Sequence, residues 1–397
     1  MKLKNNKYLW MLAGGDMQIL TAKIAKYKKI KLIITDKNKN APCKKFSYKF
    51  FPIDITDFDK NLELRKKLGV NLSGIFTIAS DCHLIVNKLA KKLNLHHTPI
   101  KISKLSNDKI KTRNFLKKKF IQPKSFLIKN YKHYLKLRKN LNSHYVIKHL
   151  NLSGSRGFKE FSKSQILSEN NYNKIRYRIK KSNGILIEEK LQKDRDVIFS
   201  EMSAETVWQN GRIIFFNCVD RIFKRDLEKF KLLDKNMFRN VKNGYEIGHI
   251  NPSIISEDKS EQILRMMKKL GKNLTYHRLK GCHILKIDIF FSSKGPVILE
   301  MTPRLSGGYD STGSSHARGL KLSEAMMKIS MGHCFKRSEI RRYFQPNKKR
   351  ALVISRYAKG KRLFYMSSKY KSLKRNLVEI NKKIKSNITI KNEQFKN

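Results

Sequence analysis

The stretch Ile284–Gly308 reads ILKIDIFFSSKGPVILEMTPRLSGG, and it sets how the rest of the chain is read. Two apolar runs flank Ser292-Ser293-Lys294-Gly295, which predicts an antiparallel hairpin. With the turn centred on Lys294, Asp288 and Glu300 lie opposite each other, each six residues away. Opposed residues share a face, with Cβ atoms roughly 5 Å apart. Two carboxylates that close on apolar strands repel unless a cation sits between them. A hard divalent ion with oxygen ligands meets that need, Mg²⁺ (or Mn²⁺) shared with phosphates. The alternative is one carboxylate solvated at a strand end and the other paired with Lys286. Thr302 faces the same way as Glu300, as does Arg304 if the strand continues, and the register sets Lys286 opposite Thr302.

Two upstream segments carry related chemistry. In Tyr145–Phe158, YVIKHLNLSGSRGF, a strand delivers Lys148 and a loop of small residues follows, Ser153-Gly154-Ser155-Arg156-Gly157. Small residues let backbone N–H groups approach phosphate oxygens, and Lys148 adds a positive point charge. Such a loop is otherwise an ordinary surface turn. In Gly184–Val197, GILIEEKLQKDRDV, an apolar run ends in Glu188-Glu189, with Leu191 and Asp196 beyond. A strand end of this kind presents backbone groups and a carboxylate to a planar ring edge, and a nearby acid accepts hydroxyls. The other reading is an exposed strand end in a lysine-rich protein.

Toward the start the pattern is β-α-β-α. Tyr8–Leu12 reads as a strand, followed by a Gly14-Gly15-Asp16 turn, a helical Gln18–Tyr27 and a strand Lys31–Thr35. A helical Leu62–Leu68, a strand Gly74–Ala79 and a helix Leu84–Leu93 continue it, predicting a doubly wound parallel sheet. Gly14–Gln18 is not G-x-G-x-x-G, and Asp16 would set a negative charge where a pyrophosphate sits. From about Ser106 the material is α+β: a helix Asp108–Lys119, strands at Val197–Met202 and Ile213–Val219, and a helix Lys259–Leu270. Beyond Lys336 the chain is most basic, and Ala351–Tyr357 with Arg362–Tyr365 reads as a further hairpin.

Composition bounds the remainder. The 397 residues are 40% apolar and 10% aromatic, enough for several cores. No run approaches the roughly 18–20 apolar residues of a membrane span, and the short apolar run after Met1 has no cleavage motif, which rejects a signal peptide. Five scattered cysteines with no C-x-x-C exclude a disulfide scaffold and a zinc ribbon. A cytoplasmic protein is the expectation. With 88 Lys+Arg against 31 Asp+Glu, the formal charge is +57. Lysine dominates, is spread end to end, and accompanies no nucleic-acid signature, so the expected contact with nucleic acid is non-specific.

Taken in order, these segments resemble the ATP-grasp superfamily, in the branch of biotin carboxylase, the carbamoyl-phosphate synthase large chain and carboxylate–amine ligases. The resemblance runs from about Tyr8 to Phe335. It implies an N-terminal doubly wound pre-ATP-grasp domain (1–105), an ATP-grasp domain of two α+β subdomains clamping ATP (106–335, with a lid at about 145–200), and a basic C-terminal segment (336–397). Residue by residue, Lys109 after Asp108 resembles the first phosphate-binding lysine, Lys148 the second, and Ser153–Gly157 the lid. Glu188, Glu189 and Leu191 resemble the adenine strand, and Asp196 the ribose acid. Asp288 and Glu300 resemble the magnesium carboxylates, and Arg304 the arginine near the transferred phosphate. Thr302 stands where the family commonly has Asn, so it is a poorer second-metal ligand.

The activity this implies is transfer of the ATP γ-phosphoryl group to a carboxylate, giving an acyl phosphate that an amine or similar nucleophile attacks, with ADP and phosphate released. The substrates are a small-molecule acid and an amine, and a homodimer is allowed. The acceptor pocket is expected from Arg304, Ser306, Gly307, Gly308 and His316, although a surface role for His316 weighs equally. Arg221 either reaches the substrate or pairs with Asp220. The alternatives are a degenerate ATP-binding protein and, less favoured, a nucleic-acid-binding protein.

Overall fold

In the first part of the chain, β1 (Tyr8–Leu12), β2 (Lys31–Thr35), β3 (Lys49–Phe51) and β4 (Leu72–Phe76) form a parallel sheet of order β3-β2-β1-β4. The computed structural model describes residues 8–139, 144–149, 159–161, 168–177, 185–229, 238–239, 241, 244–307, 310–347, 350–358 and 361–364. Strands β1 and β2 read as continuous apolar runs because both faces of the sheet are covered. Helix α1 (Ile19–Tyr27) covers one face; α2 (Phe58–Lys67) and α3 (His83–Lys92) cover the other. The expected doubly wound sheet is present. Asp57 caps α2 by accepting from Lys60 N at 3.0 Å, the acceptor placement that starts a helix.

Two short helices follow, α4 (Ile100–Ser106) and α5 (Lys109–Leu116), the second capped by Asp108, which accepts from Lys111 N. A smaller antiparallel sheet comes next: β5 (Ser125–Ile128), β6 (Tyr145–His149), β7 (Lys159–Phe161) and β8 (Ile185–Glu189), in the order β5-β8-β6-β7. Its helices are α6 (Tyr131–Arg138) and α7 (Glu169–Tyr177). Tyr145, Ile147, Ile185 and Ile187 pack with Tyr134 and Tyr172 into a separate small core. The alternate residues Val146, Lys148 and Glu188 face a cleft instead, as a period of two requires.

The large sheet is antiparallel, seven strands in the order β13-β12-β9-β10-β11-β14-β15. They are β9 (Glu201–Gln209), β10 (Arg212–Phe223), β11 (Glu246–Asn251), β12 (Cys282–Ser292), β13 (Gly295–Thr302), β14 (Ala351–Ala358) and β15 (Lys361–Phe364). Helix α8 (Glu257–Asn273) lays Ile263, Met266, Met267 and Leu270 against Ala204, Trp208, Leu285 and Ile287. Those spacings form one helical stripe. Gly271 lies so close to the Trp208 ring that a Cβ there would overlap it.

The chain then returns through a π-helical turn Asp310–Ser314 into α9 (Ser315–Ala317), α10 (Leu322–Ser330) and α11 (Arg337–Phe344). Helix α10 docks on the first sheet, where Gly74 abuts the Ser330 carbonyl and Thr21 Oγ1 donates to Ser323 Oγ at 2.9 Å. The basic end is tied in: β14 pairs with β11, and Tyr343 and Phe344 are buried beside Phe335.

One expected element is displaced. Val197–Met202 was expected as a strand on its apolar run, and Val197 and Phe199 are indeed buried. Regular pairing starts only at Glu201 and continues to Gln209; Glu201, Ser203 and Glu205 interrupt the apolar pattern on one face of that strand. The expected C-terminal hairpin is present as β14 and β15.

Candidate functional site

Strands β12 and β13 are joined by a two-residue turn, Ser293-Lys294, with Ser292 opposite Gly295. A turn centred there would pair Asp288 with Leu299. A one-residue irregularity next to Asp288 absorbs Leu299, which brings Asp288 opposite Glu300 and Lys286 opposite Thr302. The two carboxylates face each other, but a bulge achieves it where sequence reasoning had placed the turn one residue off.

Their environments differ. Asp288 is buried; its Oδ1 accepts from Ser203 Oγ at 2.7 Å and lies 2.5 Å from Lys286 Nζ and 3.5 Å from Arg221 Nη1. Burial would raise its pKa, but Arg221 and Lys286 outweigh that and hold it below the usual range. Glu300 is half exposed, with Oε1 3.8 Å from Lys109 Nζ. The Lys286 pairing weighed from sequence is therefore present for Asp288.

A cleft of about 1260 Å³ separates the small sheet from the large one. Lys148, Glu188, Glu189 and Leu191 line it on one side, Phe290 and Leu299 on the other. An adjoining cavity of about 420 Å³ reaches Lys109, Lys148, Glu300 and Thr302. Lys148 Nζ sits 2.6 Å from Glu188 Oε2. Glu188 is 1% exposed and is also held by Arg113 through Nε, with Arg113 Nη2 3.3 Å from Oε2. Desolvation alone would raise the Glu188 pKa; Lys148 and then Arg113 reverse this and pull it down to about 2.

The remaining expected residues are less uniformly gathered. Arg304 is buried, ion-paired with Asp81 from the segment between β4 and α3, and donates through Nη1 to the Leu305 carbonyl at 2.8 Å. Ser306 N donates to Glu205 Oε1 at 2.5 Å, and Gly307 sits where a Cβ would be 3.2 Å from the Ala79 carbonyl. His316 is half-buried in α9. Asp196 is 82% exposed, 3.9 Å from Lys259, and outside the cleft lining, whose acids are Glu160, Glu188, Glu189, Glu201, Asp226 and Glu228. Ser153, Gly154, Ser155, Gly157 and Gly308 lie outside the described residues.

Sequence reasoning missed a second layer on the same sheet face. Arg221 does not pair with Asp220, which is buried and bound by Ser253 Oγ and Ile254 N. Instead Arg221 Nε donates to Glu246 Oε2 at 2.8 Å, and Glu246 Oε1 lies 2.7 Å from His249 Nε2. Glu205 and Asp310 are fully buried nearby. The one available signal was the polar alternation Glu201, Ser203, Glu205 in β9. Arg113 and Asp81 had none, because their partners are 75 and 223 residues away.

No protein-family model matches the sequence, and no curated protein matches it. Solved structures do, and they establish that the chain has the ATP-grasp fold. It is similar to N5-carboxyaminoimidazole synthetase from Staphylococcus aureus complexed with ADP, at TM-score 0.65 and 16% identity over 90% of this chain and 84% of that one. It is also similar to L-amino acid ligase from Bacillus licheniformis (0.64, 15%, 94% and 85%). A third is phosphoribosylglycinamide synthetase from Anaerococcus prevotii (0.63, 18%, 89% and 81%). Among the described residues no helix is long and apolar enough to cross a membrane.

Proposed function

We propose that the protein is an ATP-dependent ligase that activates a small carboxylic acid as an acyl phosphate and joins it to an amine or similar nucleophile. The observation that carries this is the convergence of Lys109, Lys148 and Glu300 on one cavity, with Asp288 directly across the hairpin from Glu300. The residues fit Mg·ATP. The donors are hard oxygens, and among the described residues no three His, Cys, Asp or Glu side chains could hold a metal by themselves. Phosphate oxygens and water would complete the shell. When bound, Mg²⁺ supplies charge neutralisation on the phosphates, and Asp288 and Glu300 are the residues that would hold it.

The chain's own groups do the rest. The anion-binding cations are each held by an internal acid: Lys148 by Glu188, Lys109 by Glu300, Arg304 by Asp81. Triphosphate entering the cleft exchanges these partners, so the cations are already placed where charge develops. Lys109 and Lys148 then steady the transferred group, and Arg304 holds the acid substrate. Positioning supplies most of the acceleration in such a transfer.

Acid-dependent ADP release tests the reading. The protein is incubated with Mg·ATP, hydroxylamine and a panel of carboxylic acids that includes the standard amino acids. Hydroxamate should form with at least one acid and vanish in Lys148→Ala. Mg·ATP binding with no turnover for any acid would favour the degenerate reading, to which the Thr302 substitution lends itself.

A further inference from the structure

Three buried polar atoms with no hydrogen-bond partner among the described residues fall in one row of the large sheet: Asn217 Nδ2, Glu205 Oε2 and Thr302 Oγ1. Asn217 lies opposite Glu205, Glu205 opposite Lys286, and Lys286 opposite Thr302. None is more than 8% exposed. The next row along is Ser203, Asp288 and Glu300, about 7 Å away at two residues of strand. Native structures rarely leave several buried polar atoms together unmatched, so such a set is completed by ordered water or by a polar ligand.

The chemistry of the row selects the ligand. Glu205 Oε1 is already engaged by Ser306 N at 2.5 Å and Ser311 Oγ at 3.1 Å, which leaves Oε2 to accept. A second acid, Asp310, is fully buried beside it and its charge bears on Glu205. The cation in the row, Lys286, is committed to Asp288 at 2.5 Å. The complement is a small group with positive charge and several donors, a primary ammonium, on a molecule with an oxygen for Asn217 Nδ2.

We propose that Glu205 binds the amine nucleophile as its ammonium ion and accepts the proton that must leave before nitrogen attacks the acyl phosphate. The proposal rests on the ligase reading. The ammonium passes one proton to Glu205 Oε2, giving a neutral amine and a carboxylic acid. Nitrogen then bonds to the acyl carbon, the carbon–oxygen bond to phosphate breaks, and the second nitrogen proton leaves with the phosphate as its monohydrogen form. Glu205 later returns its proton to water.

Burial, and then Asp310, push Glu205 up to about 8, so the empty site holds a proton at neutral pH; an arriving ammonium displaces it by compensating the buried acids, and the carboxylate so formed takes the nitrogen's proton. The charged groups facing it are Lys286 from β12 and Asp310 from the turn, with His249 of β11 bearing on Asp310. Ser306 and Ser311, which bond Glu205 Oε1, are themselves buried, so water is kept from this carboxyl.

The test compares two nucleophiles in wild type and Glu205→Gln. Hydroxylamine is uncharged at neutral pH and needs no deprotonation first; methylamine arrives as an ammonium ion. The variant should lose amide formation with methylamine by at least about 100-fold relative to hydroxamate formation. An equal loss with both nucleophiles, or no loss, overturns the proposal. Should wild type form hydroxamate with no acid, it is the ligase reading that fails. Binding then decides the ammonium site separately: methylammonium chloride should raise the melting temperature of wild type above that in equal sodium chloride, and not that of Glu205→Gln. Equal shifts in the two proteins overturn the site.

Discussion

Replacing Arg113 by Met should cost about 3 kcal/mol at neutral pH. Glu188 is 1% exposed and its carboxylate depends on Arg113 and Lys148 for compensation. At about 1.4 kcal/mol per tenfold change in acidity constant, the fall from 4.5 to about 2 that Lys148 and Arg113 produce together is worth about 3 kcal/mol. Removing one partner of a buried ion pair typically costs about 3–5 kcal/mol, because the other charge stays buried. Met nearly conserves the volume, so the loss is electrostatic rather than a cavity. The sign follows from linkage: a carboxylate depressed in the folded state stabilises above its unfolded value and loses that contribution as pH falls through the folded one. The gap between wild type and variant should therefore be full at pH 7 and narrow between about 4.5 and about 2. Urea unfolding at a series of pH values measures it. Equal stability at neutral pH, or a gap that ignores acid, would refute the reasoning.

Other consequences are open to simpler assays. Lys148→Ala should abolish acid-dependent ADP release while circular dichroism stays native, since Arg113 still pairs with Glu188 and the 21% exposed Lys148 side chain lines the cleft outside the small core. Gly271→Ala should destabilise by about 1–3 kcal/mol, because the new Cβ overlaps the Trp208 ring in a packed core; thermal melting reads this. Glu205 is raised from 4.5 to about 8, so between those values the folded state holds a proton that the unfolded state does not. Wild type should lose stability relative to Glu205→Gln as pH rises across that window, a trend that denaturant titration would reveal or exclude.

How far the sequence carried the account depends on how local each feature is. The β12–β13 hairpin was legible because two apolar runs around a polar turn predict antiparallel pairing, which brings Asp288 near Glu300 to within one residue. Even there, the turn position and the bulge at Leu299 were hidden, since apolar alternation does not record one inserted residue. Lys109 and Lys148 were legible from position, one opening a helix and one ending a strand. Strand β9 was misplaced because its Glu201, Ser203 and Glu205 face the site, and sites break the patterns that betray strands. Arg113 with Glu188, Arg304 with Asp81, and the Arg221–Glu246–His249 group arise only when distant elements pack.

The most direct test of the central claim is calorimetric titration with a non-hydrolysable ATP analogue, with and without Mg²⁺, at physiological salt. The account predicts binding that requires Mg²⁺ and is lost in Glu300→Ala, whose native side chain lines the cavity shared with Lys109 and Lys148. Binding that is indifferent to Mg²⁺ and to Glu300, and that fades with added salt, would contradict it and assign the nucleotide to the basic surface.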